Sequence, residues 1–173
     1  MDIHVSAKPG ETSGILKLDG QEYTCRLGRS GIIAADLKKE GDGATPLGAY
    51  PLRCIYYRLG TVQEPATGLQ TIPYSSGMGW CDDSAHHKYN QPVTLPFPAS
   101  HEDWDKIGAV YNYIVVIGYN DHPPIPGKGS AIFLHLERPE QTPTEGCVAL
   151  SENDLLAVLA KLSADSRIII EQV

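Results

Sequence analysis

"YNYIVVIGYN", residues 111–120, decides the fold class. The run is apolar at its centre and reads as a strand in the middle of a sheet. "SAIFLHLE" (130–137) reads as a second buried strand, joined to the first by the rigid loop "DHPPIPGKG" (121–129). Upstream, "GILKLDGQEYTCRL" (14–27) alternates polar and apolar residues and is broken by Asp19-Gly20. That dipeptide predicts a hairpin, because a type I′ turn needs positive φ at both central positions. Residues 30–58 read as a short strand, a Gly-rich loop (41–48) and a longer strand from about 49 to 58. Residues 60–105 are rich in Pro, Gly and Ser; a loop of that length is uncommon unless it is functional, and it is expected to form one wall of a cleft. One helix is expected after Ser151, with Asp154 three residues on and Leu155, Val158, Leu159 and Leu162 on one face. "RIIIEQV" (167–173) closes the chain as a strand. The expected fold is mostly β (a β-rich α+β class) in a single domain over residues 1–173.

Composition narrows the function classes. The hydrophobic fraction is 42%, enough for a packed core. The formal net charge of −7 makes the chain a poor partner for nucleic acid or an anionic membrane. "MDIHVSAKPGETSG" at the start carries no apolar run of the export-signal kind, and no stretch approaches the roughly 18 apolar residues of a membrane span. A cytoplasmic location is therefore the expectation. Four cysteines occur, at widely spaced positions, and free thiols are expected for them. Cys25 and Cys54 sit in strand-like segments and read as core residues.

Chemistry is concentrated in "PTEGCVAL" (143–150). Cys147 follows Gly146 at a turn, twelve positions after His135. A thiol becomes a good nucleophile as thiolate, which needs a base or a helix N-terminus nearby. Both are expected here: His135 across one loop, and the helix capped by Ser151 four residues on. Gly146 permits a sharp turn whose amides would face a developing oxyanion. The competing interpretation is a chance Cys and His, with His135 a satisfied core residue.

"GSAIFLHLERPEQTPTEGC" resembles the active-site segment of the YkuD-type L,D-transpeptidase family: a strand-end His, a variable loop, a small hydroxyl residue, any residue, then Gly-Cys. The positions that match are His135, Thr144, Glu145, Gly146 and Cys147. "GDGATPLGAYPL" (41–52), "MGWCDDSAHHKYNQPVTLP" (78–96) and "VVIGYN" (115–120) resemble flanking segments of that family. The chain departs from the pattern at Leu136, where Gly is common, and at "VAL" after the cysteine, where Arg or Asn is common. The resemblance implies a YkuD-like β fold with mixed sheets, a long cleft-forming loop and a helix after the catalytic Cys. It implies a thioester enzyme that opens the bond between meso-diaminopimelate and D-Ala in peptidoglycan stem tetrapeptides, with no cofactor.

Other residues carry weaker signals. "WCDDSAHHKYN" (80–90) groups Cys81, Asp82, Asp83, His86 and His87 without a recognised zinc spacing, so a cleft wall or a polar loop is expected before a metal site. Trp80, Asp82, Asp83, Tyr119, Asn120, Lys128, Ser130, Thr144 and Glu145 are the candidate substrate contacts. The expected activity is an L,D-carboxypeptidase of murein recycling, with His135 as base, Cys147 as nucleophile and a muropeptide as partner. The alternatives are an L,D-transpeptidase making cross-links or exchanging D-amino acids, and a catalytically silent peptidoglycan-binding module.

Overall fold

A computed structural model describes residues 1–173. The strands are β1 (Ile3–Ala7), β2 (Ser13–Leu18), β3 (Gln21–Arg26), β4 (Ile32–Ile33), β5 (Thr45–Pro46), β6 (Gly48–Arg58), β7 (Thr71–Tyr74), β8 (Met78–Cys81), β9 (Pro92–Thr94), β10 (His101–Asp103), β11 (Tyr113–Ile117), β12 (Phe133–Leu136), β13 (Val148–Leu150) and β14 (Arg167–Gln172). The helices are α1 (Trp104–Ile107) and α2 (Glu152–Leu159), and a 3-10 turn spans Ala109–Tyr111.

The main sheet runs β11-β12-β13-β3-β2-β1-β14-β6-β7, and β11 also pairs with β6. The order therefore closes on itself, because β6 is long enough to serve two partners. Its first residues pair with β14 and its later ones with β11. The closure leaves β7, paired with β6 alone, as the remaining free edge of this sheet. The expected central strand is β11, and all five of its residues are buried. It is shorter than the sequence run, since Tyr111 belongs to the 3-10 turn instead.

Asp19 and Gly20 take φ values of 51° and 74°, as the hairpin between β2 and β3 requires. Ser151 caps α2 by accepting the Asp154 amide, and Leu155, Val158 and Leu159 are buried where α2 packs against β12. Residues 60–105, expected as one long loop, hold β7 to β10. Strands β8 to β10 form a small second sheet in the order β10-β8-β9. Their apolar runs are too short to stand out in sequence.

Asn90, at φ 57°, fastens this small sheet to the main one. Its Oδ1 accepts from Trp80 Nε1 (2.9 Å) and the Ala131 amide (3.0 Å). Its Nδ2 donates to the carbonyls of Tyr119 and Asn120. Trp104, fully buried, packs edge-on against Tyr56, Tyr74 and Tyr111 and stacks with Trp80, filling the space between the sheets.

Candidate active site

Strands β12 and β13 run parallel, with His135 opposite Ala149 and Leu134 opposite Val148. Cys147 immediately precedes β13, so the same register places it beside Phe133, two residues from His135. Side chains two apart share a sheet face. His135 and Cys147 thus lie diagonally across adjacent strands, toward one face of the sheet. Both line one cavity of about 420 Å³.

The turn into Cys147 is fixed by its own residues. Thr144 Oγ1 accepts the Gly146 amide (3.1 Å) and donates to the Cys147 carbonyl (2.7 Å). Gly146 sits at φ 133°, and a Cβ there would meet the Ala44 carbonyl oxygen at 2.8 Å. Glycine is required on both counts. The Gly146 amide, expected to face an oxyanion, is instead consumed by Thr144. The Cys147 amide carries no hydrogen bond and is the donor left for that task.

The expectation of a thiolate poised at a helix end needs correction. Strand β13 stands between Cys147 and the start of α2, so the thiol lies outside the first turn, where a helix dipole acts. Burial pushes the Cys147 thiol well above its ordinary range, the Glu102 carboxyl adds to that, and the Phe133 amide and Lys38 only partly oppose it. The thiol donates to the Ala131 carbonyl (3.2 Å) and its sulfur accepts the Phe133 amide (3.4 Å). Burial also lowers His135 to about 4, against the bond from Nδ1 to the Leu136 carbonyl at 2.7 Å. At neutral pH the resting pair is therefore a protonated thiol and an uncharged imidazole. Because Nδ1 is held by Leu136, the free ring nitrogen is Nε2. A backbone carbonyl orients the ring, and the departure at Leu136 leaves that device intact.

The cleft gathers four of the expected substrate contacts: Asp82, Ser130, Thr144 and Glu145. The others have different work. Trp80 is a core ring tied to Asn90. Asp83 accepts the Ala85 amide in its own loop. Tyr119 donates to the Lys128 carbonyl, and the Asn120 side chain bonds to Ile125 and Gly129, so both latch the 121–129 loop. Lys128 Nζ is taken up by the Asp36 carbonyl. None of these five lines the cavity. In the 80–90 segment the rings of His86 and His87 stack on each other, and Cys81 is buried at the end of β8; no group of three or more His, Cys, Asp or Glu is arranged to hold a metal ion.

Several cleft residues carried no sequence signal. Glu40 accepts from Ser130 Oγ (2.5 Å) and Tyr89 Oη (2.8 Å). Lys38, fully buried, pairs with Asp42 at 2.6 Å. Burial pushes the Asp42 carboxyl up, but bonds from Lys38 and the Lys39 and Ala44 amides outweigh it and hold it below its usual value. Glu102, on β10, lines the same cavity as the thiol, the imidazole and Arg138. These positions lie 33 or more residues from His135 or Cys147 in sequence, apart from Arg138, and only folding joins them.

Fold and site together define a β-rich cysteine enzyme of the acyl-transfer kind. Residues 12–170 match the family model of the YkuD L,D-transpeptidase catalytic domain, and the chain belongs to that family, whose members act on peptidoglycan peptides. Among solved structures it is similar to an L,D-transpeptidase from Mycobacterium smegmatis, at 13% identity and a TM-score of 0.47, over 98% of this chain and 58% of that one. It is also similar to L,D-transpeptidase 3 from Mycobacterium tuberculosis, at 12% identity and a TM-score of 0.44, over 98% of this chain and 60% of that one. The chain thus spans less than two thirds of the length of either. A search of curated proteins gave no match.

Proposed function

We propose that the chain is an L,D-carboxypeptidase that removes D-Ala from the meso-diaminopimelate of peptidoglycan stem tetrapeptides. The observation that carries this reading is the convergence of Cys147 and His135 on one cleft, within a family of peptidoglycan-directed cysteine enzymes. Burial leaves the imidazole unprotonated at neutral pH, so its Nε2 lone pair is open to the thiol proton, while making the ring a weaker base than a free imidazole. As substrate displaces the thiol from the Ala131 carbonyl, Nε2 takes the Sγ proton and sulfur attacks the scissile carbonyl. The free Cys147 amide stabilises the oxyanion. The C–N bond breaks, the imidazolium returns its proton to the departing amine of D-Ala, and a thioester remains. Water, deprotonated by His135, then attacks the thioester, releasing the tripeptide and restoring the thiol.

The cavity of about 420 Å³ suits one short peptide, and either water or a D-amino acid can enter the place that D-Ala vacates, so product analysis decides the acceptor. The competing reading, transfer to an amine to form a cross-link or an exchanged D-amino acid, is favoured by the family description itself. Incubating the chain with a purified tetrapeptide, with and without a D-amino acid, separates them. Tripeptide and free D-Ala as the main products support hydrolysis, whereas a dominant exchange product overturns it. Muropeptide binding without turnover or an acyl adduct on Cys147 would leave only a binding module. The murein-recycling form of this proposal places the protein in the cytoplasm, which cell fractionation tests.

A further inference from the structure

Glu102 is one of five carboxyl residues that line the cleft, with Glu40, Asp82, Glu137 and Glu145, and the one bonded to a ring that touches His135. It stands half-buried on β10, lining the same cavity as His135 and Cys147. Its hydrogen bond within the protein comes from Tyr111 Oη, which donates to Oε2 at 2.9 Å. The Tyr111 ring in turn meets the His135 imidazole edge-on, with centroids 5.3 Å apart and planes at 73°. Tyr111 is otherwise immobilised. Its carbonyl accepts Tyr74 Oη at 2.6 Å, and its ring packs on Phe133 and Trp104. The imidazole therefore rests on two supports from different elements: the Leu136 carbonyl at Nδ1 and the phenol ring on its flank.

We propose that Glu102 and Tyr111 are positioning residues for His135: the carboxyl anchors the phenol, and the phenol fixes the plane in which the imidazole offers Nε2 to Cys147. The bond from Leu136 sets the tautomer but leaves the ring free to tilt about that contact, and the aromatic edge removes this freedom. An off-plane base loses rate rather than affinity, because proton transfer depends on alignment.

Charge gives the pair a second effect. The groups acting on Glu102 are Tyr111 from the 3-10 turn, Asp82 after β8 and Glu40 before β5; the charged or titratable Lys38, His135, Arg138 and Cys147 share its cavity, and Lys106 of α1 lines the adjoining surface pocket. Burial pushes the Glu102 carboxyl up to about 8, with the like charges of Asp82 and Glu40 adding to it and the Tyr111 bond opposing. A negative Glu102 disfavours the Cys147 thiolate. The neutral acid is thus the form compatible with attack by sulfur, and it still accepts from Tyr111.

This inference rests on the proposed roles of His135 and Cys147, so its test includes readouts that need no substrate. Glu102→Gln keeps a neutral acceptor, Glu102→Leu removes it, and Tyr111→Phe removes the donor. The measurements are the His135 ring NMR signals, peptide-resolved alkylation of Cys147 against pH, and kcat and KM on a tetrapeptide, with circular dichroism and melting to confirm folding. Tyr111→Phe and Glu102→Leu are expected to shift or broaden the His135 signals and lower kcat about tenfold with KM within about twofold. Glu102→Gln is expected to keep wild-type ring signals, and its alkylation rate relative to wild type rises as pH passes about 8. Should Glu102→Leu not fold, Tyr111→Phe and Glu102→Gln carry the test. Unchanged ring signals and kcat in Tyr111→Phe, or a loss confined to KM, overturn the proposal. If no peptidoglycan peptide is turned over by any form while the ring signals still move, the functional reading fails and the positioning pair stands.

Discussion

His135 and Glu102 face one cleft but tilt stability with pH in opposite directions. The native His135 titrates at about 4, below the 6.5 of an unperturbed imidazole, so between those values the unfolded chain binds a proton that the folded one refuses. Stability from this group is complete above about 6.5 and is lost as pH falls toward about 4, by at most on the order of 3 kcal/mol. Glu102 does the reverse. Its native value of about 8 exceeds the ordinary 4.5, so the folded state holds a proton that the unfolded state has released, and stability falls as pH rises through that interval. Urea midpoints from about pH 4 to pH 8 check both signs. Relative to wild type, His135→Gln should gain stability toward the acid end and Glu102→Gln toward the alkaline end. Difference curves that stay flat for both variants would show that neither group titrates as its burial requires.

Among the elements, β13 is only three residues long, yet it settles what α2 can do for the thiol. A helix dipole acts within its first turn, and β13 holds Cys147 outside that range. The cap therefore works for stability and not for reactivity. Ser151→Ala removes the acceptor of the Asp154 amide and should cost about 1 kcal/mol in chemical denaturation, while the alkylation rate of Cys147 stays within about twofold of wild type. A matching fall in alkylation would restore the helix terminus as an activating element. The sequence made the cap, the apolar face of α2 and the Asp19-Gly20 turn legible, because each is a local device spanning a few residues. It also showed Cys147, Gly146 and His135, whose spacing is short. It did not show β8 to β10, whose partners lie across a Pro- and Gly-rich stretch, nor Tyr111 as a wall rather than a strand residue. Glu40 and Glu102 resemble surface acids in sequence, and burial that depends on distant segments gives them their character.

At the scale of the whole molecule, the cleft exists because separate segments close around the end of β12. The Lys38–Asp42 pair holds one of them. Lys38 is 2% exposed, and its ammonium is neutralised by Asp42 at 2.6 Å, with a further bond to the Lys39 carbonyl. Asp42 also accepts the Lys39 and Ala44 amides, so this one carboxylate shapes the loop that leads to the carbonyl packed against Gly146. A buried ion pair adds little net stability compared with apolar packing, but removing one member strands the other charge. Asp42→Ala leaves a buried ammonium without its counter-ion and should destabilise the fold by about 3–5 kcal/mol. Lys38→Met removes the buried charge itself, leaves the less buried Asp42 reachable by water, and should cost clearly less. Urea denaturation of both variants at neutral pH makes the comparison. An Asp42→Ala variant no less stable than Lys38→Met would mean that the loop is held by its backbone alone and that the charge pair contributes nothing to the wall of the cleft.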